Sequence, residues 1–305
     1  MKRMQVLPVS AVLAFLAAAA GCGEGAAPAD VIDVADAGLM TPESVLADEV
    51  ADVYLVSNIN GGPLERDDNG FISRLTPDGQ VESLKWIDGA SPDITLHAPK
   101  GMAIRGDSLF VADIECIRVF NRLTGVSAGN ECVEGATFLN DLAVGPEGSI
   151  FVTDSGLELD DQGQLVPTGT DGLYRYAFQE GRSGATLATG ADLGNPNGVA
   201  VGPRGIFVAT WSSGEVLRYD AAGIRTVVMP ASDRQLDGIV FTSDGGFLFS
   251  SWGDSAVYRV GSGGAVSRLI EGVPAPADIG YDARRNRVLI PLFLDNKVLI
   301  RPAGG

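Results

Sequence analysis

The chain has 305 residues, with 39 acidic side chains against 22 Lys and Arg and a formal net charge of −17. A surface that acidic repels polynucleotides and anionic membranes, so nucleic-acid binding is set aside, while cations are attracted. One histidine and three cysteines are too few for a Cys/His zinc centre as the main business of the chain. The 45% hydrophobic and 20% charged content describes a globular chain, and forty glycines with 7% aromatics fit a fold of many tight turns.

In chain order, Met1-Lys2-Arg3 is basic, and Val6 to Ala20 is an apolar run too short for a typical membrane span. It ends in Ala19-Ala20-Gly21-Cys22, which resembles the lipobox of bacterial lipoproteins, where the cysteine is lipidated and becomes the first mature residue. The expectation is a signal peptide over 1–21 and a lipid on Cys22. An ordinary secretory signal cleaved at small residues is the alternative. Gly23 after the cysteine favours outer-membrane sorting. The expected location is the bacterial cell envelope, at the outer membrane or in the periplasm, with the lipid as the only membrane contact. Residues 22–38 read as a tether, Gly/Ala/Pro-rich to Asp30, with a β-prone Val31-Ile32-Asp33-Val34. Residues 39–305 read as one domain and one monomer.

That domain is repetitive. Pro42-Glu43-Ser44-Val45-Leu46, Pro99-Lys100-Gly101-Met102-Ala103-Ile104, Leu139-Asn140-Asp141-Leu142-Ala143-Val144, Pro196-Asn197-Gly198-Val199-Ala200-Val201, Leu236-Asp237-Gly238-Ile239-Val240-Phe241 and a degraded Pro276-Ala277-Asp278-Ile279-Gly280-Tyr281 share one pattern. Aligning them stacks Glu43, Lys100, Asn140, Asn197, Asp237 and Ala277, at spacings of 57, 40, 57, 40 and 40 residues. Such periods point to a propeller or solenoid. Each copy is followed by a turn and a more apolar strand, such as Ile150-Phe151-Val152 or Phe247-Leu248-Phe249, then by a third strand such as Leu217-Arg218 or Tyr258-Arg259. Most copies add a fourth, more polar strand. Short strands at regular spacing without a helical period predict an all-β fold: a six-bladed β-propeller with four-stranded blades. The last unit runs out after three strands, so Val31 to Val34 is expected to supply its outer strand and remove two exposed sheet edges. A lone tether strand is the rival reading.

Cys116 and Cys132 lie at equal offsets from Thr124 and should face each other on a hairpin; a disulfide is expected, two free buried thiols being the alternative. The arginine that recurs in third strands reads as an exposed face of an outer strand.

The first strand of each blade should line the central axis, bringing the stacked polar residues to one mouth of the channel. Glu43, Asn140, Asn197 and Asp237 are hard oxygen donors from four blades, of the kind calcium and magnesium take. Two carboxylates and two amides match one divalent ion, calcium first, with magnesium, manganese or zinc as alternatives. Taken singly, Asn197-Gly198 and Asp237-Gly238 are ordinary turn dipeptides; the shared register is what singles them out. Lys100 belongs to the same ring. It could bind a substrate carboxylate, or displace the metal by pairing with Glu43 and Asp237. Asp154 and Asp113 end second strands and are expected either around the pocket or on local turn amides. Asp278 is a candidate to face the axis in place of Ala277. His97 reads as an exposed loop residue, and Trp211 and Trp252 as packing or as walls of an apolar pocket.

Pro42-Glu43-Ser44, Asn140-Asp141, Pro196-Asn197-Gly198 and Asp237-Gly238 give the chain a resemblance to the senescence-marker-protein/gluconolactonase group, which includes regucalcin, from about Leu39 to Arg301. The resemblance implies one divalent cation on Glu43, Asn140, Asn197 and Asp237, and hydrolysis of a lactone or ester with Asp237 as ligand and proton acceptor. Family lactonases often carry an Arg two residues before the first Asn; Phe138 stands there, which implies a less polar small-molecule substrate than a sugar-acid lactone. Lys100, Phe138 and Asp154 are the expected substrate contacts. The competing expectation is a non-catalytic, lipid-anchored propeller that binds a ligand or protein at the envelope.

Overall fold

The computed structural model describes residues 31–178 and 183–304. The expectations for residues 1–30, including the signal peptide, Cys22 and the tether, lie outside the described residues. The described chain is nearly all β, in six four-stranded antiparallel sheets and one two-stranded hairpin. The sheets are the blades of a propeller. Five inner strands are Pro42–Asp48, Pro99–Arg105, Leu139–Val144, Pro196–Gly202 and Leu236–Phe241, and the sixth blade begins at Gly280–Asp282.

Ring closure uses the amino-terminal strand. Ile32–Val34 pairs antiparallel with Lys297–Pro302, so the outermost strand of the last blade comes from the start of the described chain. A second seam lies at the axis, where Asp278 N–H donates to the Glu43 carbonyl at 2.9 Å and Ser44 bridges in parallel to Asp278.

Burial explains the strand grammar. Second strands are packed on both faces and read as apolar runs: Val53–Asn58 and Arg287–Leu292 are buried throughout. Fourth strands such as Ser127–Cys132 and Val266–Glu271 lie mostly in solvent and are polar. Six apolar clusters fill the six interfaces between neighbouring blades. Phe110, Ile117, Leu142 and Val152 meet between the second and third blades, and Val45, Tyr54, Leu289 and Ile300 across the closing seam. Cys116 and Cys132 are cross-strand partners joined by a disulfide.

The third-strand arginines differ from a simple exposed face. Arg118 is buried, with Nε 2.7 Å from Asp113 Oδ2. Arg259 reaches Asp244 and donates to the Ala303 and Gly304 carbonyls. These guanidiniums tie strand ends together rather than only solvating a face.

The two 57-residue spacings have a structural cause. The first and third blades carry long segments between their second and third strands, Asn58 to Phe71 and Asp154 to Gly172. The latter holds the extra hairpin, Leu157–Leu159 paired with Leu165–Pro167. Both segments lie over the mouth where the inner strands start.

Candidate functional site at the channel mouth

Each stacked polar residue is the second residue of its inner strand, and the ladder slips there. Register shifts fall between Pro42 and Ser44, Pro99 and Met102, Leu139 and Leu142, Pro196 and Val199, and Leu236 and Ile239. A bulge inserts an unpaired residue and re-aims its side chain. Here it interrupts five inner strands at the same level.

The freed backbone groups are taken up by hydroxyls on second strands. Thr153 Oγ1 accepts from Asp141 N–H at 3.0 Å and donates to the Asn197 carbonyl of the next blade. Ser250 Oγ accepts from Gly238 N–H and donates to the Ala277 carbonyl, both at 2.8 Å. Ser57 Oγ accepts from Ser44 N–H at 2.9 Å. Blade-to-blade spacing at the axis is therefore pinned one residue from the candidate ligands. It is also tight: a Cβ on Gly198 would stand 2.3 Å from the Asp237 carbonyl oxygen, and one on Gly101 2.5 Å from the Asp141 Cα.

Glu43, Asn140, Asn197 and Asp237 line one cavity of about 480 Å³, together with Lys100 and Phe138. All four donors are buried. Glu43 Oε2, Asn140 Oδ1, Asn197 Oδ1 and Asp237 Oδ1 are each buried without a hydrogen-bond partner. An unsatisfied buried polar atom costs about 1–3 kcal/mol, so four in one cavity, each from a different blade, call for a common electropositive partner.

The other ends of two of these groups are fixed. Ser155 Oγ donates to the Pro196 carbonyl at 2.7 Å, so it can only accept from Asn140, 3.0 Å away. The group facing Ser155 must then be the Asn140 Nδ2 amide, which leaves Oδ1 free. Trp252 Nε1–H donates to Asp237 Oδ2 at 2.8 Å and leaves Asp237 Oδ1 free. A hard divalent cation fits this donor set. Among the described residues no three Asp, Glu, His or Cys side chains group as a metal cluster; the set here is two carboxylates and two amides.

Charge at the axis is strained. Burial first, then mutual repulsion with Asp237 and Asp278, raises the Glu43 pKa well above the usual carboxylate range. Burial and the Asp278 charge do the same to Asp237. One residue further along the chain from Asn140 and Ala277, Asp141 and Asp278 line a separate cavity of about 460 Å³ at the opposite opening. Asp141 is also raised, chiefly by burial, and Asp278 is pushed up to about 7 by burial against a hydrogen bond from Ser44.

Lys100 lines the mouth but does not join the carboxylates. Its Nζ donates to the Ala98 carbonyl at 3.0 Å and lies 4.5 Å from the centre of the Phe138 ring. No ion pair joins it to Glu43 or Asp237 within 4.0 Å. Burial lowers its pKa to about 8, against the pull of the Glu43 charge.

Asp154 lies behind this wall. Its Oδ1 accepts from Phe138 N–H at 2.8 Å and Gly156 N–H at 3.0 Å, so it shapes the turns that carry Phe138 and does not line the cavity. Asp113 acts likewise on His97 and Ala98 N–H. His97 is not a free loop residue: its side chain is 13% exposed, and Nδ1 accepts from Asp68 N–H at 3.2 Å. It does not line the cavity either. Trp211 and Trp252 do, packed edge to face with ring centres 5.1 Å apart. Sequence reading missed Ile59, Pro63, Leu157, Leu165, Pro167 and Phe293 in the wall. The first five come from the segments that lengthen the 57-residue repeats, which was the available signal.

Solved structures share this architecture. A putative gluconolactonase matches with a TM-score of 0.67 at 16% identity, over 90% of this chain and 93% of that one. A gluconolactonase from Xanthomonas campestris, described as important in glucose secondary metabolism, matches with a TM-score of 0.67 at 18% identity, over 89% of both chains. This chain has their six-bladed fold. Virginiamycin B lyase from Staphylococcus aureus also matches, with a TM-score of 0.60 at 13% identity, over 89% of this chain and 99% of that one. A form of that lyase with one histidine replaced by alanine is described as catalytically inactive. No family model matches the sequence, and neither does any curated protein.

Proposed function

We propose that the protein is a divalent-metal-dependent hydrolase of a lactone or ester, working at the channel mouth. The observation that carries this reading is the set of four partnerless buried oxygens, from Glu43, Asn140, Asn197 and Asp237, in one cavity. Their charge of −2 matches one divalent ion, and oxygen-only ligation suits calcium before softer metals. Bound there, such an ion would polarise a carbonyl and stabilise negative charge developing on its oxygen.

The chain's own residues supply the rest. Trp252 orients Asp237, whose buried carboxylate takes or steers the proton of the attacking water. Ser155 orients the Asn140 amide. The aromatic and aliphatic wall keeps bulk water from the reacting group. The same proposal places the mature protein in the bacterial cell envelope, held by a lipid on Cys22.

Two rival readings lose support. A non-catalytic propeller with Lys100 in place of the metal needs Lys100 paired with Glu43 and Asp237, but its ammonium is turned to Ala98 and Phe138. A lyase that depends on a histidine needs one at the site, and His97, the only one in the sequence, is not in the wall.

The test is elemental analysis of the purified mature domain (from Gly23), after calcium addition and dialysis, beside Asp237→Ala. About one equivalent in the parent and little in the variant, with hydrolysis in a lactone and ester screen, is expected. No metal in either protein would overturn the reading.

A further inference from the structure

Lys100 is 1% exposed, yet it lines the cavity and, among the described residues, makes no ion pair with a carboxylate within 4.0 Å. An ammonium has three N–H donors. One is used on the Ala98 carbonyl, and the Phe138 ring stabilises the charge from one side. Once a divalent ion offsets Glu43 and Asp237, Lys100 is the only cationic side chain among the described residues that line the cavity, and no carboxylate touches it directly. Asp113 and Glu115 attract that charge only from a distance, and a buried charge is costly unless a group of opposite sign meets it directly.

Beyond the four oxygen donors and Lys100, the cavity is mostly apolar, with Ser155 and Ser212 as its other polar side chains. Trp211, Trp252 and Phe293 form one connected aromatic wall, with Trp252 5.3 Å from Phe293, and the extra hairpin adds Leu157, Leu165 and Pro167. Ligand sites of this kind bury an apolar body and fix it through a few convergent polar groups. A sugar ring laid against the aromatic and hairpin side would leave the hydroxyls on that side unpaired.

We propose that the cavity selects a monoanionic, largely apolar or aromatic ester or lactone, whose carboxylate is received by Lys100 while its ring lies against Trp211, Trp252 and Phe293. This rests on the hydrolase reading for the word ester or lactone. The anion subsite itself stands on Lys100 and its surroundings.

The test uses ligand binding, which does not require turnover. The mature domain in excess calcium is titrated with 3-phenylpropionate and with the uncharged, near-isosteric 3-phenylpropanamide, following tryptophan fluorescence, with calorimetry as a second readout. The parent should bind the carboxylate at least about tenfold more tightly than the amide, which is about 1.4 kcal/mol. In Lys100→Met this ratio should fall to about one, and Lys100→Arg should keep part of it. Melting curves of both variants verify folding; if Lys100→Met does not fold, the parent ratio and Lys100→Arg decide. Equal binding of both ligands by the parent overturns the proposal. So does an undiminished ratio in Lys100→Met, which would mean that the calcium alone receives the carboxylate.

Phenyl esters with and without a carboxylate separate the two readings. A Lys100-dependent binding ratio without hydrolysis of either ester sinks the hydrolase reading and leaves the anion subsite. Hydrolysis of both esters with no binding ratio does the reverse.

Discussion

Trp252 and Asp237 are joined by a 2.8 Å hydrogen bond from the indole Nε1–H to carboxylate Oδ2, and Asp237 Oδ1 is left buried and unpaired. The indole is itself wedged between Trp211 and Phe293. A carboxylate on a rotatable side chain is thereby held in one orientation before any ligand arrives. Trp252→Phe keeps the aromatic wall and removes the donor. A hydrogen bond to a charged group is worth about 1.5–3 kcal/mol, so calcium affinity should fall about tenfold or more in calorimetry while the melting curve stays cooperative.

Ser155 does for Asn140 what Trp252 does for Asp237. Without its hydroxyl, the Asn140 amide has nothing to keep Nδ2 outward and Oδ1 toward the cavity. Outer groups of this kind typically contribute about 10–100-fold to metal affinity. Ser155→Ala should lose calcium affinity in that range, and Ser155→Thr should restore much of it.

The buried carboxylates set a pH dependence. Asp278 is raised from an ordinary carboxylate value to about 7, and Glu43, Asp237 and Asp141 are raised as well. A raised pKa means that the folded state binds the proton more tightly than the unfolded chain. For Asp278 the stability this contributes is complete below about pH 4 and is lost as pH rises through about 7, and the other three act in the same direction. Lys100, lowered to about 8, adds stability only above that value. The metal-free domain should therefore lose stability between pH 5 and 7.5 as Asp278 ionises. Calcium should flatten the slope, as read from urea midpoints with and without chelator.

Two glycines give a matched pair. Gly198→Ala drives a Cβ to 2.3 Å from the Asp237 carbonyl oxygen, in a ring of inner strands that cannot widen locally. Overpacking of this kind costs about 1–3 kcal/mol, and the urea midpoint should fall accordingly. Gly263→Ala meets nothing within 4 Å and should leave stability unchanged or slightly improved.

The Cys116–Cys132 disulfide spans 16 residues of sequence. Closing a loop of about that length stabilises by about 3 kcal/mol in the chain-entropy model. Cys116→Ser with Cys132→Ser should lower the melting temperature by several degrees and leave calcium binding intact, because the hairpin lies in outer strands of the second blade.

The sequence alone determined the repeat and hence the ring. Alternation, turn residues and a 40-residue period survive in the chain because each blade solves the same burial problem, and the missing outer strand was visible as an incomplete last unit. The shared position of Glu43, Asn140, Asn197 and Asp237 was legible for the same reason. Other things depended on contacts between blades, which no local pattern encodes. Whether Lys100 paired with Glu43 and Asp237 or turned to the nearby Ala98 carbonyl and the Phe138 ring was decided by the placement of groups from other blades. Asp154 looked like a pocket residue, but the backbone N–H groups of Phe138, just before the inner strand, and of Gly156 claim its Oδ1. The wall came from segments that the repeat does not predict, since their only requirement is to cover one mouth. Periodicity fixed where the donors stand; tertiary packing decided which of their atoms remain free to bind.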